Sequence, residues 1–420
     1  MPRLSTPWKI LIGFVAGMAW SLLQEPLNLS GFTAAWVAPL GKLLLTLLKF
    51  IALPLVVVSL LQGIAAVGNL SRLSRLGMRT VGYYLLSTFA AVLTGIGMAT
   101  LLRPGAAISA EQQVAFRQQY EQFLAERQST AEELQRKSPL QILVELFPDN
   151  FLAAAQDNQR MLQVILATLL LGAALLTVPP EQSSPLRGLL QALMELLLAA
   201  IRLILRFAPI GVFALMAALQ ADWSLLSALG LYSLSVLAGL AFMLAAVYPL
   251  ILRLLTRTPV LAFYRALLPA QMVAFSTSSS AATLPTTMSV CHHHLGVRQE
   301  IAGFVLPLGA TVNMDGTSLY QAVATLFLTQ LYGIELSFGA LVALMAMAIA
   351  ASIGAAPVPG AGIVMLIVIL QNLGIPQEGL ALILGVDRLL DMSRTVVNVT
   401  SDAVACVLVN SWENSSQEAS

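Results

Sequence analysis

The chain has 420 residues, of which 58% are hydrophobic and only 10% charged, with a mean hydropathy of +0.82. Soluble domains carry about 25% charged residues, so this reads as a polytopic membrane protein. A formal net charge of +1 at pH 7 leaves no nucleic-acid footprint, and Cys291 and Cys406, both in or beside apolar segments, indicate neither a disulfide framework nor a metal site.

In chain order, the N-terminal stretch MPRLSTPWKILIGFVAGMAW looks at first like a signal peptide. It lacks a small-x-small cleavage site and more spans follow, so it reads as a retained first membrane helix. A crossing needs about 20 apolar residues. Spans are therefore expected at about 8–24, 33–65, 78–102, 150–178, 187–220, 224–255, 297–333 and 378–410. Several exceed one crossing and must be tilted or broken. The polar stretch 106–140, with Thr130 and Glu133 at capping-box spacing, reads as a mobile outside loop with some helix and no part in the chemistry.

Two apolar segments, 258–292 and 336–373, depart from the pattern. Their centres, STSSSAATLP (276–285) and IGAAPVPGAG (353–362), hold helix breakers and hydroxyls where a plain span would have Leu or Val. Non-helical backbone at membrane depth is tolerated only where it lines a cavity or is buried in protein. Each segment is therefore expected to be a re-entrant helical hairpin. Basic residues Arg3, Lys9, Arg72, Arg75, Arg79, Arg253, Arg257, Arg265 and Arg298 all fall on one side if the N-terminus is cytoplasmic. The hairpins then open from opposite sides, as in an inverted repeat.

The polar residues inside these segments carry the chemistry. In DRLLDMSRTVVNVTSD (387–402), Asp391, Arg394, Asn398 and Asp402 fall at roughly +40°, −20°, +20° and +60° from Asp387 on a helix. Five polar groups on one membrane stripe mark an ion or substrate path. A structural Asp391–Arg394 pair is the plainer reading. In TVNMDGTS (311–318), Asn313, Asp315 and freed carbonyls suit a hard cation, with Na⁺ the natural choice. The hydroxyls and helix start at STSSS (276–280) suit a carboxylate, and Arg394 offers a fork for one. Asp391 can hold an ammonium. Together these describe a site for an acidic amino acid. The tripeptide His292–His294 cannot converge on one metal, because successive helix side chains diverge by about 100°.

The stretches SSS followed by TLP (278–285), APIGVFAL (208–215), NMDGT (313–317), VPGAG (358–362) and DMSRTVVNVT (391–400) resemble the glutamate transporter family, the dicarboxylate/amino acid:cation symporters. The resemblance runs in order over nearly the whole chain. It implies an all-α homotrimer with eight membrane helices and two re-entrant hairpins per chain, built from inverted repeats. Scaffold helices would occupy 1–77 and 150–220, an extracellular loop 106–149, and an elevator-like transport domain 78–105 and 221–420. By matched motif positions, Arg394 would take the substrate's side-chain carboxylate and Asp391 its amino group. Thr317, Thr395, Asn398, Ser278, Ser279, Ser280, Val358 and Gly360 would complete the pocket. One Na⁺ would sit among Gly309, Asn313, Asn398 and Asp402. A second would sit among Thr311, Ser352, Ile353 and Ala355, and a third among Tyr84, Ser87, Thr88, Asn313 and Asp315.

Some positions depart from the family pattern. Neither Ser278 nor Met392 is the Arg that archaeal or animal members carry there. Pro357 replaces a usual Gly, Ser87–Thr88 reverses the familiar order, and Gln321 stands where animal members have a Glu tied to proton and K⁺ coupling.

The sequence thus implies Na⁺-coupled symport of L-aspartate, with L-glutamate a further candidate, in the cell (inner) membrane with both termini cytoplasmic. Membrane lipids are partners and no cofactor is expected beyond the coupled ion. A proton-coupled or neutral-amino-acid carrier of the same family is the alternative. An ion channel fits paired gates less well, and no HExxH or GxSxG motif supports an enzyme.

Overall fold

The computed structural model describes residues 6–24, 26–66, 76–108, 110–125, 147–156, 160–218, 223–256, 258–355 and 360–418. Among them all regular structure is helical. Helix α1 (Thr6–Gln24) leads into α2 (Ala38–Ala66) through a π-helical turn, Thr33–Val37. Then come α3 (Leu76–Leu102), α4 (Ala110–Ala125), α5 (Met161–Thr177) and α6 (Pro180–Ala218). Helix α6 bends by 47° between Ile204 and Arg206. The cause is Pro209, which lacks an N–H and whose ring presses on the carbonyl of residue 205, four positions earlier. Helix α7 (Trp223–Phe242) continues through a second π turn, Met243–Val247, into α8 (Tyr248–Leu255).

The two expected hairpins are present. The first pairs α9 (Val260–Thr277) with α10 (Ser280–His293). Its tip turns at Ser278, which holds a left-handed φ of 52°, and Ser279 caps α10 by accepting from Ala282 N–H at 3.2 Å. The second pairs α13 (Phe338–Gly354) with α14 (Ala361–Asn372). Residues 356–359, including Pro357 and Val358, lie outside the described residues. Gly360 takes a φ of +85°, a conformation in which a Cβ would be strained. At 14, 17 and 12 residues, α10, α13 and α14 reach only about 18–26 Å, short of the roughly 30 Å hydrocarbon core.

Between the hairpins, α11 (Gln299–Val312) and α12 (Asp315–Leu331) form one interrupted span, with Asn313 extended between them. The last helix, α15 (Leu380–Glu418), runs unbroken for 39 residues. The span expected at 150–178 is itself divided: Asn150 caps a short turn of helix, Phe151–Ala155, ahead of the 17-residue α5. In the polar stretch, α4 is not solvated all round. Phe116 is buried edge-on against Tyr332 at 5.6 Å. Thr130 and Glu133 lie outside the described residues.

Helices α1, α2, α5 and α6 pack on one another, and α3, α7 and α9–α15 form a second group. Small residues set the spacing within the first. A Cβ on Gly13 would come 2.3 Å from the Pro209 carbonyl oxygen, and one on Gly17 would come 2.5 Å from that of Phe213. Such positions let backbones meet where lipid removes the usual hydrophobic drive. The groups touch where α13 and α14 lie on α2 and where α1 lies on α15; at the latter the Phe14 ring covers Gly385 so closely that a Cβ there would collide with it. The outer faces expose large apolar side chains such as Phe50 (74%), Leu101 (78%) and Leu254 (71%). Soluble surfaces rarely expose such a belt, whereas lipid requires it.

Candidate functional site

The site forms where the α11–α12 break meets the middle of α15 and the end of α13. A broken helix frees backbone donors and acceptors that must find partners in the interior. Side chains from the neighbouring elements supply them. Met314 N–H donates to Ser352 Oγ at 2.7 Å, and Gly316 N–H donates to Asn398 Oδ1 at 2.8 Å. Asn398 Nδ2 in turn donates to Thr317 Oγ1 at 3.3 Å. Gly316 permits this approach, because a Cβ would sit 2.5 Å from the Arg394 carbonyl oxygen.

The polar stripe of α15 is buried as expected for an interior path. Asp387, Asp391, Asn398 and Asp402 are all under 9% exposed, and Arg394 is fully enclosed. Arg394 Nη2 donates to Asp391 Oδ1 at 2.7 Å and lies 3.2 Å from Asp387 Oδ1, an ionic contact without hydrogen-bond alignment. The Asp391–Arg394 pair therefore exists, but it uses one corner of the guanidinium. Nε and Nη1 are buried with no hydrogen-bond partner. The Tyr320 ring lies 3.7 Å from the guanidinium carbon, a cation–π contact. A Cβ on Gly362 of the second hairpin would stand 3.4 Å from Nη1. Unpaired buried donors on a cation are costly, and an incoming carboxylate is the group that satisfies them.

Two carboxylates form an oxygen-rich cluster beside the break. Asp315 Oδ1 accepts from Ser87 (3.1 Å) and Thr88 (3.0 Å) on α3, and its Oδ2 accepts from Tyr248 (2.9 Å) and Ser401 (2.7 Å). Asn313 bridges to Asp402, donating from Nδ2 to its Oδ1 at 3.0 Å, while its own Oδ1 faces Ser87 Oγ and Thr88 Oγ1. Thr88 Oγ1 also reaches Ser352 Oγ at 3.5 Å. No ion pair to either carboxylate is present among the described residues. Carboxylate, amide, hydroxyl and carbonyl oxygens without a basic side chain suit a small hard cation.

The remaining sequence-derived positions fall unevenly. Ser278 Oγ is buried without a hydrogen-bond partner, and Ser280 opens α10 in the interior. Thr395 bonds back to the Asp391 carbonyl at 2.8 Å, and Thr311 bonds back to that of Leu308 at 2.9 Å. Ile353 and Ala355 end α13 near Ser352. The Tyr84 hydroxyl does not reach Asp315. It donates to the Val305 carbonyl at 2.8 Å and faces Gly309 and Asp402. The histidines end α10, where His292 Nδ1 meets the Val297 carbonyl at 3.0 Å.

Sequence reasoning missed Tyr248, Ser401 and Tyr320. Ser401 neighbours Asp402, and Tyr320 lies one turn after Thr317 on the same face, so both had a faint positional signal. Tyr248 had none, because α8 meets Asp315 only through tertiary packing.

A Cβ at Gly309 would come 2.4 Å from Asp402 Oδ1. Gly309→Ala is therefore expected to push Asp402 off Asn313 and to weaken cation binding at this cluster roughly tenfold. Calorimetric titration with Na⁺ checks this, and an unchanged affinity would separate Asp402 from cation binding.

The comparisons agree with this chemistry. A family model described as the sodium:dicarboxylate symporter family matches residues 7–412. The chain is 33% identical to a proton/glutamate-aspartate symporter of Escherichia coli (strain K12), covering 98% of this chain and 94% of that protein. It is 32% identical to a proton/sodium-glutamate symport protein of Bacillus subtilis (strain 168), covering 96% and 91%. It is 31% identical to excitatory amino acid transporter 3 of Homo sapiens, covering 97% and 84%. The chain belongs to the sodium:dicarboxylate symporter family, as a multi-pass membrane transporter and not an enzyme.

Proposed function

We propose that the protein couples Na⁺ to the uptake of acidic amino acids, L-aspartate first and L-glutamate as a further substrate. The carrying observation is the enclosed Arg394 with two unpartnered donor nitrogens beside the second hairpin. A substrate carboxylate meets those donors, and Asp391 turns toward the substrate's ammonium. Thr317, Thr395, Asn398 and the hairpin residues Ser278, Ser279, Ser280, Val358 and Gly360 complete the pocket. Na⁺ is carried in three places: at Gly309, Asn313, Asn398 and Asp402; at Thr311, Ser352, Ile353 and Ala355; and at Asp315, Asn313, Ser87, Thr88 and Tyr84. Support for the last comes from four hydroxyl donors on one buried carboxylate.

The proposed motion is an elevator. Residues 78–105 and 221–420 slide as a transport domain against a scaffold of 1–77 and 150–220, within a homotrimer in the inner membrane with cytoplasmic termini. The closer packing of α1, α2, α5 and α6 on one another than on α9–α15 supports this division. Proton coupling is the second reading. It draws on the word proton in the names of the two bacterial relatives and on Asp387, a buried carboxylate without an aligned hydrogen bond from Arg394.

Uptake of labelled aspartate into liposomes under imposed Na⁺ or H⁺ gradients decides between the two. A rate that follows the H⁺ gradient without Na⁺ would replace the first reading with the second. Counter-ion coupling is read at Gln321, which is buried with its Nε2 3.5 Å from the Gly362 carbonyl. An amide does not titrate, so no proton is carried there. Replacing internal K⁺ with choline at a fixed Na⁺ gradient and clamped potential is expected to leave the initial rate nearly unchanged. A several-fold loss would place K⁺ coupling elsewhere in the protein.

A further inference from the structure

A groove of about 400 Å³ lies between α3, α8 and the C-terminal end of α15, away from the substrate site. On α3 it is walled by Arg79, Gly82, Tyr83, Leu86 and Ser87, whose spacings of three and four residues put them on one helix face. Leu255 of α8 and Leu408 of α15 close the other sides. From Met78 to Ala90 the groove follows α3 for about 18 Å, close to the roughly 15 Å hydrocarbon depth of one leaflet. Its rim carries Met78 and Leu86, 74% and 71% exposed.

Formal charge is confined to one end. There Arg79 Nη1 pairs with Glu413 Oε1 at 2.8 Å, and the Trp412 ring centre lies 5.9 Å from the guanidinium carbon. The two charged side chains remain 30% and 24% exposed, so a ligand can reach both. Trp and Arg at the end of an apolar wall mark the headgroup level of a bilayer. An acyl chain fits the apolar length. A cation and an anion side by side complement a headgroup that itself carries both signs.

We propose that this groove binds one chain of a phosphatidylethanolamine from the adjacent leaflet, with the phosphate at Arg79 and the primary ammonium at Glu413. The groove also reaches the cation cluster, because Ser87, in its wall, donates to Asp315 at 3.1 Å.

The test uses native mass spectrometry of the purified full chain with phosphatidylethanolamine, phosphatidylcholine and phosphatidylglycerol of identical chains. It needs no transport activity, so it is independent of the substrate assignment. Phosphatidylethanolamine is expected to be retained best. A quaternary ammonium cannot donate a hydrogen bond to Glu413, and glycerol brings no cation. A Cβ at Gly82 meets no atom within 4 Å, so Gly82→Phe fills the groove without displacing protein. Each buried methylene carries about a fourfold factor in affinity, so retention should fall roughly tenfold or more. Glu413→Gln should bring phosphatidylethanolamine and phosphatidylglycerol to equal retention. Wild-type retention in Gly82→Phe, or an unchanged lipid order in Glu413→Gln, would overturn the proposal. If Gly82→Phe is not monodisperse, the lipid order in Glu413→Gln decides alone.

Discussion

Replacing Arg394 with Cys is expected to abolish aspartate and glutamate uptake and to admit neutral amino acids such as serine. The side chain is fully enclosed, and its unpartnered Nε and Nη1 are the donors proposed to meet the substrate carboxylate. Truncating one partner of a buried charge pair costs about 2–5 kcal/mol, or about 30-fold to several-thousand-fold in affinity. A neutral side chain leaves no carboxylate to satisfy, which is why such substrates should gain. The substitution also strips Asp387 of its counter-charge at 3.2 Å and leaves Asp391, paired with Arg394 at 2.7 Å, only the longer 3.9 Å contact to Arg388. Arg394→Cys should therefore be paired with Asp387→Asn, which removes one of the stranded carboxylates and separates lost binding from lost folding. Calorimetric aspartate binding near the parent value in either variant would sink the carboxylate assignment.

The second large effect is expected at Asp315. Its carboxylate is fully buried and collects hydroxyls from three helices, Ser87 and Thr88 on α3, Tyr248 on α8 and Ser401 on α15. The carboxylate has no basic side chain beside it among the described residues, so a cation is the counter-charge it lacks. Asp315→Asn keeps the shape and removes that charge. Na⁺ affinity should fall, and aspartate affinity should fall with it by roughly 5- to 150-fold, since coupled ligands change one another's binding by the same factor. High Na⁺ should recover part of the loss. Aspartate affinity that is independent of Na⁺ in the parent protein would remove the coupling altogether.

Much of this protein was legible in one dimension because lipid allows few solutions. Long apolar runs announce spans, and the breakers in STSSSAATLP and IGAAPVPGAG announce tips, because irregular backbone survives there only against protein or a cavity. The α15 stripe was legible for the same reason: helix geometry alone puts Asp387, Asp391, Arg394, Asn398 and Asp402 on one face, and all five are buried. The span at 187–220 is too long for one straight crossing, but the position of its bend was not named, although Pro209 is visible in the sequence.

Contacts between distant segments were beyond that reach. Nothing local to Tyr248 points to Asp315, 67 residues away, and nothing local to Ser352 says that it receives the freed Met314 N–H. Tyr84 divides in the same way: its hydroxyl is aimed at the Val305 carbonyl, while its own carbonyl accepts from Ser87 Oγ at 3.2 Å beside the Asp315 cluster. The sequence by itself determined that long apolar helices cross, that two segments turn at small-residue tips and which polar residues the spans carry, because those follow from the 3.6-residue period and the cost of bare backbone in hydrocarbon. The tertiary structure alone decided which of those residues share one cavity. That depends on helix rotation and close approach, set by positions such as Gly316 and Gly385, whose missing Cβ lets two backbones or a ring come together.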